Sequence, residues 1–411
     1  MKYMLRNPFI AGRPIKYGEP FCGRKEELER LEREILSSNL VVLHALRRFG
    51  KTSLLNQVAG RLEEKGWKVV RFDLSVVTGM SDLAGLIDQK LAAFTPLSSK
   101  IKQYISNARL SLSFSLDPGK DLPELTVGLR SVKAESASLD LLARLTLLAK
   151  FPTVVDARLF AVFDEFQEIV YLRDNQAGIY EKLFRAAFQE RGDGFAAVFS
   201  GSKTSILRKL FSDRAKMFYR GVQPLDLGPI DESAFTAFVR HHFRETLNVE
   251  IPEELPRVVH YFLEGHPYGL QKVMYLLWHL AIRGERPVNW ADCLRIAVRE
   301  FLESERSDFE KSWQDLTPPQ RKTLLAVAMG EGAAIFSRDA LSRIGLAQST
   351  VFQAVNALVE KGKILKLADL EGNTYVVQDS IDRICLQMIG GVPVQEIVER
   401  LVPLLGDAPV I

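Results

Sequence analysis

Leu40 to Leu55 read LVVLHALRRFGKTSLL, and this segment contains the most specific motif of the chain. Within it, residues 45–52 have the P-loop form Ala-x4-Gly-Lys-Thr. An apolar run typical of a buried strand precedes the loop, and apolar residues at helical spacing follow it. This context predicts a strand, a phosphate-binding loop and a helix, in that order.

The residue types of the loop match the chemistry of a triphosphate. Backbone N–H groups that converge at a helix N-terminus bind phosphate oxygens, helped by the helix dipole. Gly50 lets the backbone approach closely, Lys51 is expected to bind the β- and γ-phosphates, and the Thr52 hydroxyl to bind Mg²⁺. Ala45 stands where Gly is usual and fits if its φ angle is negative. The predicted nucleotide-binding residues of this segment are Arg47, Arg48, Phe49, Gly50, Lys51, Thr52 and Ser53.

Length and composition restrict the class of protein. The 411 residues suit two or three domains, and the net charge of +3 gives no general argument for a polyanionic partner. The three cysteines lie far apart without CxxC spacing, which argues against a zinc site and fits a reduced compartment. No apolar run reaches the roughly 18 residues of a spanning helix, and the first residues lack a signal-peptide core. We therefore expect a cytoplasmic protein that does not act at a membrane.

A second candidate motif follows the apolar residues 157–163, which we predict to be a strand. The strand ends in Asp-Glu-Phe-Gln at residues 164–167, which resembles a Walker B element. Asp164 is expected to hold Mg²⁺, and Glu165 to polarise the attacking water. Together with the upstream P-loop, this pair predicts hydrolysis of a nucleoside triphosphate.

Polar and basic residues follow the next predicted strand, residues 194–200. Ser202 comes just after it and is a candidate sensor of the γ-phosphate. Residues 203–220 then hold six basic residues and a single acid. One arginine of this run is a candidate to stabilise transition-state charge, in cis or across a subunit boundary. For this role, Arg220 is our first candidate and Arg214 our second.

Other segments flank this core. Residues 110–129 alternate with period two around an Asp-Pro-Gly turn and predict an inserted β-hairpin, either a contact for a partner or oligomer or a plain decoration. Upstream of the P-loop, Phe21, Gly23 and Arg24 form an aromatic-Gly-Arg turn that is suited to close over an adenine. A Gly-His-Pro break at residues 265–267 predicts a helix start, with His266 as a capping or packing residue.

The last third of the chain predicts a winged helix-turn-helix. Three short helices are predicted near residues 318–329, 337–344 and 347–361. Two strands follow them, near residues 363–367 and 374–377. The outward face of the third helix carries no Lys or Arg, and phosphate neutralisation drives most DNA affinity, so this helix suits DNA poorly. Lysines near the wing leave two roles open for residues 337–377, DNA contact and protein docking or packing.

The order and spacing of seven short motifs carry a family likeness. They are Asn7-Pro8-Phe9, Phe21-x-Gly23-Arg24-x-x-Glu27-Leu28, Arg47–Ser53, Asp164–Gln167, Gly201-Ser202, Tyr219-Arg220 and Gly265-His266-Pro267. This series resembles the archaeal-type ATPases, a branch of the STAND group of AAA-like P-loop NTPases. The likeness spans residues 7–300, and a winged-helix tail also suits the family.

The resemblance implies an αβα nucleotide-binding core with a helical lid, followed by a winged-helix domain. It implies that Gly23 and Arg24 lie near the base, that Ser202 is the polar residue of the sensor strand, and that Pro267 in the lid approaches the nucleotide. It further implies adenine as the base and a slow switch instead of a fast enzyme.

These observations lead to one prediction of organisation and three of function. The segments are a P-loop core at 1–230, a helical lid at 231–312, a winged-helix domain at 313–390 and a tail at 391–411. The first function is an ATP-binding switch that hydrolyses ATP slowly with Mg²⁺ and acts with a protein partner or as a homo-oligomer. The alternatives are an ATP-gated, initiator-like DNA-binding regulator and a signalling scaffold that holds ADP and scarcely turns over.

Overall fold

The computed structural model describes residues 6–94, 132–212, 221–283, 288–369 and 372–406. The predicted hairpin at residues 110–129 and the candidate Arg220 lie outside these ranges. The chain divides into two compact units. The α/β unit comprises Lys25–Ala45 and Lys51–Leu227, and the helical unit comprises Met1–Arg24, Leu46–Gly50 and Gly228–Ile411.

The described strands of the α/β unit form one parallel sheet of five strands in the order β2-β3-β4-β1-β5. They are β1 Leu40–Ala45, β2 Lys68–Asp73, β3 Leu159–Asp164, β4 Phe195–Gly201 and β5 Val222–Leu227. Every residue of β1 and β4 is buried, as expected for a parallel sheet covered on both faces. Because parallel strands end at the same edge, the ends of β1, β3 and β4 share one edge of the sheet.

Helices surround this sheet and account for its buried faces. Those described are α1 Lys25–Leu36, α2 Lys51–Glu64, α3 Met80–Ala92, α4 Val132–Ala149, α5 Phe151–Val155, α6 Ile179–Gln189 and α7 Thr204–Ser212. The sheet and these helices make up the predicted αβα core of a P-loop protein.

A cluster of phenylalanines fixes the end of β3. Phe163 stacks on Phe72 of β2, with ring centroids 5.0 Å apart, and on Phe199 of β4, at 5.5 Å. Phe166, two residues beyond the strand, is fully buried and packs edge-on against Phe199 and Phe184. The turn that carries the two acidic residues between Phe163 and Phe166 is therefore anchored on both sides by buried rings.

The helical unit contains the elements that follow the sheet. Its helices are α8 Glu232–Leu247, α9 Glu254–Leu263, α10 Pro267–Arg283, α11 Trp290–Gln314, α12 Pro318–Ala328, α13 Arg338–Ile344, α14 Gln348–Glu360, α15 Ser380–Ile389 and α16 Val394–Glu399. Between α14 and α15 lie the antiparallel strands β6 Ile364–Asp369 and β7 Gly372–Val377. Three helices followed by a two-stranded wing are the predicted winged helix-turn-helix order. Most buried apolar side chains of the described part of this unit form one core, from Phe9 in the N-terminal segment to Leu405.

The N-terminal segment packs within this helical unit. The Asn7 amide donates to the backbone carbonyl of Tyr275 at 3.1 Å, and the N–H of Ile10 donates to the Gln271 side chain at 3.0 Å. Phe9 is buried against the ring of Phe243. The Asn-Pro-Phe motif thus attaches the start of the chain to α10.

Within the described ranges, no helix has the length and apolar character needed to cross a membrane.

Candidate nucleotide-binding site

The P-loop has the predicted strand, loop and helix. Strand β1 ends at Ala45, and α2 begins at Lys51. Ala45 is not among the residues with positive φ, so it meets the condition for replacing Gly, whereas Arg48 and Gly50 have φ angles of 64° and 86°. A Cβ atom on Gly50 would meet no heavy atom within 4 Å. The loop therefore presents open space at Gly50, directly before the N-terminus of α2, where a phosphate would bind.

In the α/β unit, Lys51 lies beside the acidic end of β3. Its Nζ atom is 3.8 Å from Oε1 of Glu165, and its side chain is 8% exposed. Asp164 accepts a hydrogen bond on Oδ1 from the Ser200 hydroxyl at 2.6 Å and another from the backbone N–H of Glu165 at 3.1 Å. The predicted lysine and both predicted carboxylates are thus brought together.

Three donors hold Glu165 through a single oxygen. Its Oε2 accepts from the Gln167 amide at 2.6 Å, from the Ser202 hydroxyl at 2.8 Å and from the Ser202 backbone N–H at 3.3 Å. Its backbone lies in the left-handed region, with φ 49°. A non-glycine residue in that region stores strain, which proteins keep mainly at functional positions.

The charges of this site influence one another. Burial raises the pKa of Glu165, but the Gln167 hydrogen bond, the Lys51 charge and the Ser202 hydrogen bonds outweigh it, so the pKa lies below its ordinary value. Burial lowers the pKa of Lys51 by more than Glu165 and Asp164 raise it. The ion pair is long at 3.8 Å, so we attribute the low pKa of Glu165 mainly to its hydrogen bonds. Glu165 is therefore ionised at neutral pH.

The donor set fits Mg²⁺ as a companion of phosphate. Within the described ranges, no group of three or more His, Cys, Asp or Glu side chains is arranged to hold a metal ion by itself. The predicted ligands are the Thr52 hydroxyl, on the second residue of α2, and the Asp164 carboxylate. Mg²⁺ commonly keeps several waters and binds one or two protein groups together with substrate phosphates. One hydroxyl and one carboxylate match that pattern.

In the helical unit, the side chain of Arg48 is held by α11. Its guanidinium lies 2.7 Å from the Glu305 carboxylate and 3.5 Å from Asp308. It also lies over the Tyr268 ring, 4.5 Å from the centroid, and the Tyr268 hydroxyl donates to Glu305 at 2.6 Å. The Glu305 side chain is buried, so loss of the Arg48 contact would leave a buried carboxylate without its charge partner.

The next loop residue, Phe49, contacts the predicted lid. Its ring packs edge-on against His266, with centroids 4.9 Å apart. His266 accepts from the N–H of Gly269 at 3.3 Å, and its Nε2 lies 3.5 Å from the Asp379 carboxylate. Asp379 in turn caps α15 by accepting from the N–H of Ile381 at 2.8 Å. His266 is thus the packing residue that the sequence predicted, and it joins the P-loop to the cap of α15.

The residues expected near the base and lid occupy defined places in the helical unit. Arg24 is buried, and its guanidinium donates to the carbonyls of Gly228, at 2.5 Å, and Pro229, at 3.4 Å. Gly23, with φ 63°, packs its backbone close to Ile230. Pro267 is the first residue of α10 and is half-buried. Their predicted contact with a nucleotide stays a prediction.

Two predicted residues of the P-loop segment remain: Arg47 belongs to the helical unit and Ser53 to the α/β unit. Arg47 is exposed on the loop, whereas Ser53 is buried in α2.

Sequence reasoning missed two partners of the site. The motif around the Walker B element included Gln167 but gave it no role. Glu305 was overlooked, although it shares the buried face of α11 with Phe301, Leu302 and Phe309. An acid on the apolar face of a helix is a detectable signal, because a buried carboxylate requires a charged or hydrogen-bonding partner.

Solved structures align with almost the whole chain. A Walker-type ATPase of Pyrococcus abyssi is 19% identical, with a TM-score of 0.65 over 93% of this chain and 100% of that chain. The ORC2 protein of Aeropyrum pernix, in ADPNP and ADP complexes, is 14% identical, with a TM-score of 0.56 over 97% of this chain and 98% of that chain. No family model and no curated protein matches the sequence. The chain therefore shares the fold of these two proteins, and its αβα P-loop core followed by a winged-helix order is the fold that the resemblance to the archaeal-type ATPases implied.

Proposed function

We propose that the protein binds ATP with Mg²⁺, hydrolyses it slowly and acts as a nucleotide-controlled switch. The observation that carries this proposal is the contact between the buried Lys51, at the N-terminus of α2, and the partly buried Glu165, directly after β3. A P-loop lysine beside a Walker B glutamate is the minimal pair that phosphate binding and water activation require.

Each residue has a separate task in this proposal. The N–H groups at the start of α2 and the Lys51 ammonium bind the phosphate oxygens, while Thr52 and Asp164 hold Mg²⁺. When bound, Mg²⁺ neutralises charge on the phosphate oxygens. Glu165 is ionised at neutral pH, so it can orient a water molecule and accept its proton. Ser202, which donates to Glu165, is the candidate γ-phosphate sensor.

Arg220 is the proposed source of further positive charge, in cis or from a second copy. This role is supported by the sequence alone, since Arg220 lies outside the described residues. A trans arginine would make activity depend on protein concentration, because the complete site would form only in the oligomer.

The switch role is supported by the helical unit. Arg48 and Phe49 belong to the P-loop and contact α10, α11 and, through His266, the cap of α15. A ligand that reorders the loop must therefore disturb these contacts. Breaking the Arg48–Glu305 pair would leave a buried carboxylate without its charge partner, which gives the two loop states different energies.

For residues 337–377, the exposed side chains favour a protein partner over DNA. Phe352 on α14 is 55% exposed, and Leu365 and Leu367 on β6 are more than 40% exposed. Two of the three lysines near the wing already have partners, since Lys363 pairs with Asp382 and Lys361 contacts Gln320. Phosphate contacts need free cations, so we regard an ATP-gated DNA regulator as the second candidate.

Two substitutions test the proposed function. We expect Lys51→Ala to weaken ATP binding by at least about tenfold, because the variant loses the ammonium that the buried site directs at the phosphates. We expect Glu165→Gln to bind ATP and lose phosphate release. Binding is measured with a fluorescent ATP analogue, and phosphate release over a range of protein concentrations.

The matched control is Lys90→Ala on the exposed side of α3, which should behave like the wild type. ATP binding that is unchanged in Lys51→Ala would overturn the proposal. ADP that remains tightly bound through purification, with no phosphate release above that of Glu165→Gln, would favour the ADP-holding scaffold.

A further inference from the structure

We propose that Gln167 is the residue that positions Glu165 for its reaction with water, and that Gly201 is required to admit it. The inference rests on the proposed function, since it assigns a partner to the general base of that site. Gln167 is completely buried in the short 3-10 helix Phe166–Tyr171 that follows β3. Its amide donates to Glu165 at 2.6 Å, one of the shortest hydrogen bonds of the site.

The contact with Gly201 shows how closely the amide is confined. A Cβ atom built on Gly201 would lie 1.9 Å from Oε1 of Gln167 and 3.0 Å from its Cδ. No side chain other than hydrogen fits at this last position of β4 while the amide keeps its place. Gly201 is thus needed for close approach, since its φ angle is not in the left-handed region.

The Gln167 amide donates to Glu165 through its nitrogen, while its oxygen is left without a partner in the described part of the chain. Its Oε1 atom is buried and has no hydrogen-bond partner among the described residues, which is unfavourable for a polar atom removed from water. Its Nε2 atom faces two carboxylates, Glu165 at 2.6 Å and Glu168 at 3.3 Å. The opposite orientation would set the carbonyl oxygen against both carboxylates. The charges around the amide therefore fix the N–H group toward Glu165.

The consequence is that the two oxygens of Glu165 have different tasks. Oε2 accepts all three hydrogen bonds, from Gln167 and Ser202. Oε1 faces Lys51 at 3.8 Å and is the oxygen that can take a proton from water. Gln167 donates the shortest of these three hydrogen bonds, so it helps to hold Oε2 and leaves Oε1 free to face the water, without belonging to the phosphate-binding loop.

The test is a pair of kinetic comparisons with Gln167→Met, which keeps the length of the side chain and removes the donor. We expect the turnover number to fall by about tenfold, a part of the usual contribution of a positioned base. ATP affinity should stay unchanged, because Lys51, Thr52 and Asp164 are untouched. In a Glu165→Ala background, the same substitution should have no further effect on the residual single-turnover rate, since the group it positions is absent.

Several outcomes would overturn the inference. They are a wild-type turnover number in Gln167→Met, or an equal fall in both backgrounds, which would indicate a purely structural role. If Gln167→Met fails to fold, Gly201→Ala displaces the same amide and is expected to lower turnover at constant ATP affinity; wild-type turnover there would overturn the inference as well. Gln189→Met, at the exposed end of α6, is the control. Full activity in Glu165→Ala would instead contradict the proposed function itself.

Discussion

At the scale of single residues, His44 gives a prediction of pH-dependent stability. His44 is buried near the end of β1, and its Nδ1 atom has no hydrogen-bond partner among the described residues. Burial lowers the pKa of His44 to about 4, while Asp226 opposes this effect and Arg208 adds to it. The folded pKa lies below the value of about 6.5 in the unfolded chain, so the unfolded state takes up the proton first as the pH falls.

We therefore expect the His44 contribution to the free energy of unfolding to be complete above pH 6.5 and to be lost toward pH 4, by about 2–3 kcal/mol. In His44→Leu, which has similar volume and cannot titrate, this part of the pH dependence should disappear. Urea unfolding of both proteins at pH 7.5 and 4.5 measures the difference. An equal loss of stability in the two proteins would refute the prediction.

The motifs predicted that Lys51 would lie beside the acidic residues at the end of β3, as it does, but they did not predict the distant contacts of this site. Lys51, Asp164 and Glu165 were predicted as site residues because each stands in a short motif at or after the end of an apolar strand. The role of Gln167 depends on the space left by Gly201, and the role of Glu305 on a loop more than two hundred residues away in the sequence. Such contacts are set by tertiary packing, which a local pattern does not encode.

At the scale of elements, β5 shows how an edge strand escapes detection. Its sequence VQPLDL contains Pro224, and proline normally argues against a strand because it lacks the N–H of the ladder. Among the strands that the structure describes, β5 is the last at one side of the sheet. Its outer edge needs no partner there, and the Pro224 carbonyl instead accepts from Arg30 at 2.8 Å. By contrast, the strong helical periodicity of residues 347–361 matched α14, Gln348–Glu360.

The wing offers a prediction at the same scale. A Cβ atom on Gly332, in the 3-10 turn Glu331–Ala333 between α12 and α13, would lie 1.8 Å from the backbone oxygen of Tyr375 in β7. Backbone atoms cannot move aside cheaply, so we expect Gly332→Ala to destabilise the helical unit by about 2–3 kcal/mol. Thermal unfolding measures the effect. Gly228→Ala is the control, because its Cβ would meet no atom within 4 Å, and equal melting temperatures for the two variants would contradict the prediction.

At the scale of the whole molecule, the sequence did not predict that the centre of the P-loop belongs to the helical unit. Residues Leu46–Gly50 lie between two segments of the α/β unit, yet they pack with the helical unit. The cause is the pair of side chains at its centre, since Arg48 binds Glu305 and Phe49 packs on His266. A loop motif indicates what its backbone binds, and it carries no signal for what its side chains contact.

This arrangement predicts that ATP changes hydrogen exchange at the start of α15. Phe49 contacts His266, which reaches the Asp379 cap of that helix, so a loop reordered by phosphate should alter protection of the first amides of α15. His266→Leu keeps an apolar contact for Phe49 and removes the link to Asp379. We expect this variant to bind ATP while the exchange of α15 no longer responds, measured by mass spectrometry with and without ATP.

The control is His279→Leu on α10, in which the exchange of α15 should respond to ATP as it does in the wild type. A wild-type α15 that exchanges equally in both conditions would exclude this route from the P-loop to the winged helix.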